Sequence, residues 1–216
     1  MAGNCCASTT CSSSKATSPT YRRALWIALV VNLGMFGVEL VAGWGAGSAS
    51  LMADAVDFFG DAANYGVSLF VLSMGLAVRA RTALLKGLSM GGYGLYVLGQ
   101  AAWNGWYGVV PEARTMGIVA TVALIANVGV AVMLYAYRSG DANMRSVWLC
   151  SRNDAISNIA VLLAALGVFG TGTAWPDLLV ATGMAALGLS GAREVIAHAR
   201  RDLASVADPK PLGKPA

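Results

Sequence analysis

Six long apolar segments follow one another along the chain. A transmembrane helix needs about 20 consecutive, mostly apolar residues. The segments that reach this length lie at residues 24–46, 50–78, 81–104, 114–137, 144–170 and 174–197. Short breaks containing glycine, serine, threonine or proline separate several of them. The pattern predicts an all-α integral membrane protein, built as a bundle of six transmembrane helices.

Lysine and arginine residues lie almost entirely on one side of this predicted bundle. Of the 15 basic residues, only Arg114 falls at the opposite side. The break after the second segment, for example, carries Arg79, Arg81 and Lys86. Because cytoplasmic loops carry an excess of Lys and Arg, we expect both termini in the cytoplasm.

The overall composition agrees with a membrane protein and argues against other classes. Hydrophobic residues make up 56% of the chain, charged residues 12%, and the mean hydropathy is +0.61. The net charge of +4 does not indicate nucleic-acid binding, because the basic residues are not clustered with stacking aromatic side chains. The 4 cysteines do not have the distribution of a disulfide framework.

The regions outside the apolar segments predict two short tails. We expect residues 1–22 to be a disordered cytoplasmic tail without the apolar core of a secretory signal. Residues 23–198 are expected to form the six-helix domain, and residues 199–216 a second cytoplasmic tail. That last stretch is too short to bury a hydrophobic core, so no soluble C-terminal domain is expected.

A stripe of polar residues runs along the second apolar segment. Asp54, Asp57 and Asp61 are spaced i, i+3, i+7, which places them within roughly 60° of arc on an α-helix. Asn64 and Ser68 extend the same stripe. Ionisable residues within a membrane span face protein or water rather than lipid, so this stripe predicts a functional site.

Polar residues also interrupt three other apolar segments. They are Asn32 and Glu39 in the first, Asn127 in the fourth, and Cys150, Asp154 and Asn158 in the fifth. An asparagine in a span commonly forms an interhelical hydrogen bond, which is the simplest role for Asn127 and Asn64. Glu39 has two open roles, as a proton acceptor on the outer path or as a structural partner.

Two pairs of anionic ligands stand out among these residues. Asp57 and Asp61 are one turn apart, and so are Cys150 and Asp154. If the second and fifth helices cross at mid-membrane, four ligands surround one point, as tetrahedral zinc prefers. Without metal, burial favours the protonated carboxyl group. Competition between metal and protons would couple metal flux to a proton gradient.

Arg152 and the tail cysteines each have two candidate roles. Arg152 is about 200° around the helix from Cys150, so its side chain either extends to the cytoplasmic headgroups or points at Asp154 and competes with metal. Three further cysteines are candidates for cytoplasmic metal capture or are inert thiols: Cys5, Cys6 and Cys11. His198 is expected on the surface beyond the sixth segment.

The polar positions resemble those of the cation diffusion facilitators, membrane antiporters that export divalent metals in exchange for protons. The strongest stretch is S-A-S-L-M-A-D-A-V-D-F-F-G-D, residues 48–61, where the family commonly shows A-D-A-x-(H/D)-x-x-x-D. The resemblance makes Asp57 and Asp61 metal ligands. In the fifth segment Asp154 aligns with a family ligand, and Cys150 stands where the family usually has His or Asp.

This resemblance implies a transporter rather than an enzyme. Its substrates would be divalent metal ions and protons, with zinc first and cadmium or cobalt next, because the Cys150 thiolate is a soft ligand. No tightly bound cofactor is expected. Asp54, Asn32, Glu39, Asn127 and Asn158 would support the site or the proton path. The expected location is the bacterial inner membrane, surrounded by lipid.

The sequence also leaves room for a homodimer and for two alternative functions. The spacings Gly43-x-x-x-Gly47 and Gly87-x-x-x-Gly91 permit close helix contact and hence a homodimer. A non-transporting membrane scaffold is the first alternative. A metal-dependent phosphatidyltransferase-like enzyme is less favoured, because the residues around Asp54 and Asp57 lack the glycine and arginine that such enzymes use to hold nucleotide phosphates.

Overall fold

The computed structural model describes residues 19–71, 74–137 and 142–207. For residue 71, residues 142–150 and residue 207, only the backbone is described. The helices in this part of the chain are α1 (Pro19–Ala46), α2 (Ala49–Gly66), α3 (Leu76–Tyr107), α4 (Ala113–Tyr135), α5 (Ala142–Thr171) and α6 (Trp175–Ala207). Helix α2 continues into a π-helical turn, Val67–Val71. The predicted all-α bundle is confirmed.

Helix α2 lies in the middle of the bundle. It packs most extensively against α1 and also contacts α3, α5 and α6. The other two extensive helix pairs are α3 with α6 and α4 with α5. Almost every residue of α2 from Ala49 to Asp61 is buried, including Val56 on the side opposite the aspartates. This enclosure gives most of the polar stripe of α2 a protein environment.

The described helices differ in whether their length and composition suit a membrane span. Four are long and apolar enough to span a membrane by length and composition alone: Pro19–Ala46, Ala113–Tyr135, Ser151–Thr171 and Trp175–Val206. Helices α2 and α3 fall below this measure. A helix that is enclosed by protein needs less lipid-facing apolar surface, and α2 is in that position.

The N-terminus of α2 is held by a carboxylate from α6. Asp177, which is fully buried, accepts hydrogen bonds from Ser48 Oγ at 2.7 Å, from Ala49 N at 2.9 Å and from Ser50 N at 3.0 Å. Ser48 Oγ also accepts from Leu51 N at 3.2 Å. These bonds satisfy amide groups that a helix leaves unpaired at its start, and they fix α2 against α6.

The two glycine spacings bring helices of the same chain together. A Cβ on Gly87 of α3 would lie 2.8 Å from Cγ1 of Ile196 in α6. A Cβ on Gly43 of α1 would lie 3.1 Å from Sδ of Met52 in α2. Both glycines therefore permit contacts inside the bundle. A homodimer stays a prediction, and these two glycine faces are already occupied.

Lys86 occupies a different place from the one that the sequence predicted. The placement of Lys86 in the break after the second apolar segment is wrong, since α3 begins at Leu76 and already contains Arg79 and Arg81. Lys86 lies further along α3 and is only 8% exposed. Its amine donates a hydrogen bond to Asn64 Oδ1 of α2, which gives the buried cation a polar partner.

Candidate metal centre

The three aspartates of α2 differ in their surroundings. Asp54 is fully buried and Asp61 is 5% exposed, whereas Asp57 is half-buried. All three lie on one side of the helix because of their i, i+3, i+7 spacing. The stripe therefore offers carboxylates at three successive depths along the same helix.

A hydrogen-bonded contact joins α2 to α5 at Asp61. The hydroxyl of Tyr65 donates to Asp61 Oδ2 at 2.8 Å, and Tyr65 Oη lies 2.7 Å from Ser151 Oγ. A hydroxyl has one hydrogen to donate, so Ser151 is the donor to Tyr65. Tyr65 and Ser151 are both buried. The chain Ser151–Tyr65–Asp61 fixes the orientation of the Asp61 carboxylate.

Asp154 of α5 lies beside Asp61. The two carboxyl groups are within hydrogen-bonding reach of each other, and Asp57 is in electrostatic contact with Asp154. Two ionised carboxylates have no hydrogen to share, and Asp154 Oδ2 has no hydrogen-bond partner among the residues whose side chains the structure describes. Such a cluster in a low-dielectric setting requires cations or protons to balance it.

The predicted four-ligand set is only partly described. The side chain of Cys150 lies outside the described residues. In the part of the chain that is described, no group of three or more His, Cys, Asp or Glu side chains is arranged to hold a metal ion. The structure thus brings Asp61 and Asp154 together, with Asp57 close by. The complete set of Asp57, Asp61, Cys150 and Asp154 stays a prediction.

A second carboxylate pair lies between α1 and α2. Glu39 and Asp54 are each fully buried, and their carboxyl groups are within hydrogen-bonding reach of each other. None of their four carboxylate oxygens has a hydrogen-bond donor in the described residues. Asp57 lies within electrostatic reach of Glu39. The pair therefore continues the polar stripe from the α2–α5 contact toward α1.

Buried asparagines surround these carboxylates. Asn32 Nδ2 donates to Ala28 O at 2.8 Å, and Asn158 Nδ2 donates to Asp154 O at 2.8 Å. Asn32, Asn127 and Asn158 are all buried, and the side-chain oxygen of each lacks a donor in the described residues. These oxygens are acceptors without a hydrogen-bond donor inside the bundle. They are available to a cation, a water molecule or a proton carrier.

Lys86 adds a positive charge at the far end of the polar stripe. It bonds Asn64, which lies one helical turn beyond Asp61, and it is within electrostatic reach of the Asp61 carboxylate. A lysine is rarely buried without a partner, and here Asn64 supplies one. Asn64 thus forms the interhelical hydrogen bond that the sequence predicted.

The remaining predicted residues are exposed or lie outside the described chain. The tail cysteines belong to the second group: Cys5, Cys6 and Cys11. Arg152 is exposed, and its Nη2 donates to Asn153 Oδ1 at 3.4 Å. His198 is exposed on α6, as predicted.

Four residues at or near the centre were not selected from the sequence: Tyr65, Ser151, Lys86 and Asp177. Tyr65 follows Asp61 by four positions and Ser151 precedes Asp154 by three, so helical spacing alone could have found both. Lys86 could have been found as a cation inside an apolar segment. The role of Asp177 depends on contact between distant helices, for which the sequence carries no local signal.

Comparison with known proteins shows the family of this chain. A family model described as the cation efflux transmembrane domain matches residues 25–204. The chain belongs to the cation diffusion facilitator family. The match includes all six helices and each carboxylate described above, whereas the three tail cysteines lie outside it. The chain is accordingly an integral membrane protein.

Two curated relatives have printed names that state cation efflux. It is 26% identical over 171 residues to the "Metal cation efflux system protein CzcD" of Cupriavidus metallidurans. It is also 26% identical over 171 residues to the "Cation efflux system protein CzcD" of an Alcaligenes species. Each alignment covers 74% of this chain but 54% of the relative. The chain therefore spans about half the length of the curated relatives it matches.

Proposed function

We propose that the chain exports divalent transition-metal cations from the cytoplasm in exchange for protons. The observation that carries this proposal is the contact between Asp61 of α2 and Asp154 of α5, with Asp57 beside it. Metal efflux is also what the printed names of the two relatives state for those proteins. The substrate passes between α2 and α5.

The carboxylate cluster supplies the physical reason for exchange. Three carboxylates close together in a membrane interior repel one another, and leaving them all ionised and unpaired is costly. Either a divalent cation or protons can balance the charge. Because a metal ligand must be deprotonated, binding the cation releases protons, and binding protons releases the cation. One site then serves both substrates alternately.

Zinc is the metal that the donor set favours. Two aspartates on α2 and one on α5 supply hard oxygen ligands, and Cys150 on α5 adds a soft sulfur ligand. A mixed sulfur and oxygen set of four suits zinc, which is tetrahedral in most protein sites. Cadmium and cobalt are the next candidates, whereas manganese and magnesium prefer oxygen ligands alone.

The other buried polar groups extend the route to either side. Glu39 and Asp54 lie toward the ends of α1 and α2 that meet at residues 46–49, and they can accept protons or guide the cation there. Lys86 lies on the opposite side of Asp61. A fixed positive charge at that position helps to expel a divalent cation from the site.

We infer no resident cofactor, and we place the protein in the bacterial inner membrane.

The decisive experiment measures zinc and proton movement in the same vesicles. The purified chain is reconstituted with a zinc indicator and a pH indicator, and a zinc gradient is imposed. Asp61→Asn and Asp154→Asn each remove one charge at nearly constant size. We expect the rate of zinc and proton exchange to fall in each variant. The loss should exceed the about 10–100-fold that is typical when a residue hydrogen-bonded to a metal ligand is removed.

Asp202→Asn is the matched control, because it removes a carboxylate from α6 outside the polar stripe. It should keep the wild-type rate. Undiminished exchange in Asp61→Asn or Asp154→Asn would contradict the proposed site. Zinc-dependent proton release from the purified protein in detergent separates a transporter from a non-transporting scaffold, since a scaffold without this site releases none.

A further inference from the structure

A groove with an arginine-rich rim runs between α3 and α6. Its volume is about 570 Å³. The lining residues are Gly91, Leu95, Leu189, Ala192, Arg193, Ile196, Ala197, Arg200 and Arg201. Gly91 lines the α3 side of the groove, and a Cβ at this position would lie 3.6 Å from the Cβ of Ala192.

The groove crosses the depth at which hydrocarbon gives way to headgroups. At 1.5 Å per residue, Arg193 lies ~27 Å along α6 from Trp175, close to the ~30 Å thickness of a bilayer core. Arg200 and Arg201 lie about 10 Å further along the helix. Leu189 is therefore at acyl-chain depth, Arg193 and Ile196 are near the boundary, where an arginine side chain can extend toward the headgroups, and Arg200 and Arg201 are at the headgroup level.

The charge of the groove is positive and not balanced by the protein. No carboxylate is among the lining residues. Within the described part of the chain, no ion pair engages Arg193, Arg200 or Arg201, and all three side chains are exposed. Arg193 and Arg200 are seven residues apart, so they project from the same side of α6.

We propose that this groove binds an anionic phospholipid. The acyl chains lie against Leu95, Leu189 and Ile196, and the headgroup phosphate contacts Arg193 and Arg200. Guanidinium groups bind phosphate with paired hydrogen bonds, and basic pockets between transmembrane helices are typical sites for anionic headgroups. This site is separate from the carboxylates of α2 and α5, and its test does not depend on transport.

A second copy of the chain fits this groove less well. Protein dimers are usually two-fold symmetric, so the same surface meets itself. Two copies joined along this groove would bring the arginines of one against those of the other. Like charges at such an interface oppose association, whereas an anionic lipid neutralises them.

The test compares lipid binding by variants that differ only in where charge is removed. The purified chain in detergent is titrated with phosphatidylglycerol, phosphatidylcholine or inorganic phosphate, and bound lipid is counted by native mass spectrometry. Arg193→Gln/Arg200→Gln removes two charges from the groove. Arg22→Gln/Arg23→Gln removes two exposed charges from the first turns of α1 and is the matched control.

We expect phosphatidylglycerol to bind the wild type in preference to phosphatidylcholine. The groove variant should bind it about 10- to 30-fold more weakly, at about three- to fivefold for each of the two arginines. The control variant should bind like the wild type. Equal losses in the two variants would overturn the proposal in favour of general surface attraction, and efficient competition by inorganic phosphate would overturn it in favour of a free-anion site.

A second variant tests the apolar part of the groove with every arginine retained. Gly91→Leu places a side chain in the groove, whereas Gly92→Leu adds the same side chain one residue away, where a Cβ meets nothing within 4 Å. Only Gly91→Leu should lower phosphatidylglycerol binding. Equal binding by both variants, or a groove-dependent dimer in place of bound lipid, would overturn the proposal.

Discussion

The carboxylates at the centre of the molecule differ in the side chains that surround them. Asp61 has a tyrosine donor and a carboxylate neighbour, while Asp54 lies beside the carboxyl group of Glu39. The first arrangement fixes the orientation of the Asp61 carboxylate and leaves its charge to be balanced by a cation or a proton. The second brings together two carboxyl groups whose oxygens have no hydrogen-bond donor in the described residues. Identical residue types on one helix thus have separate roles because of what the neighbouring helices supply.

Tyr65 tests whether the orientation of Asp61 matters for metal binding. Tyr65→Phe removes the hydroxyl that donates to Asp61 and accepts from Ser151, with little change in volume. We expect zinc affinity to fall by about 10–100-fold, as for other residues that hold a metal ligand in place. Isothermal titration of the purified protein measures the change. Tyr107→Phe, at an exposed end of α3, is the control and should bind as the wild type does.

Cys150 tests the predicted selectivity of the site. Cys150→His replaces a soft sulfur ligand with an imidazole. Imidazole suits both zinc and cobalt, and a thiolate suits cobalt less well. We expect the ratio of cadmium to zinc transport to fall while zinc transport persists. Rates are compared in vesicles at equal metal concentrations. If both rates keep the wild-type ratio, Cys150 is not a ligand.

At the scale of helices, the position of α2 depends on residues outside it. Asp177 of α6 binds the first amide groups of α2, and Asn104 of α3 donates to Gly47 O at 2.8 Å. The amide of Glu112, just before α4, donates to Ala46 O at 2.9 Å. Three helices therefore fix the turn that joins α1 to α2. This anchoring sets the depth of Asp57 and Asp61 relative to α5.

Asp177→Asn tests that anchoring. The change keeps one oxygen but replaces the other with a donor, so at least one of the three buried hydrogen bonds is lost. An unsatisfied buried amide costs about 1–3 kcal/mol, and we expect a lower unfolding temperature together with slower exchange. Thermal unfolding is followed by circular dichroism in detergent. Asp202→Asn should leave both quantities unchanged, and an unchanged unfolding temperature in Asp177→Asn would contradict the anchoring role.

The helices could be predicted from the sequence more completely than their contacts. Apolar length located all six, because the cost of unpaired backbone in lipid leaves little alternative to a helix. The depth of Lys86 was missed, since its burial depends on Asn64, which lies on another helix. Helical spacing concentrates polar groups on one side of a helix, so the polar sides of the second and fifth helices were predicted, but the Asp61–Asp154 contact followed only on the condition that these helices cross. The cap by Asp177 required the folded arrangement.

At the scale of the whole molecule, the six described helices put the start of α1 and the end of α6 on the same side of the bundle. The basic residues lie mainly on that side, which the positive-inside rule assigns to the cytoplasm. The orientation decides whether the site exports or imports its cation when protons drive the exchange. The arginine-rich groove then faces the cytoplasmic leaflet.

The cysteines of the N-terminal tail allow this orientation to be measured without adding a tag. In a Cys150→Ser background, the thiols that remain are Cys5, Cys6 and Cys11. A membrane-impermeant maleimide should leave them unlabelled in intact bacterial cells and label them in inverted membrane vesicles, because the reagent reaches only one face in each case. Glu112→Cys, in a variant without the tail thiols, should show the opposite pattern, since residue 112 is exposed at the other end of the bundle. Tail labelling in intact cells would reverse the assigned orientation, and with it the direction of metal movement that a proton gradient drives.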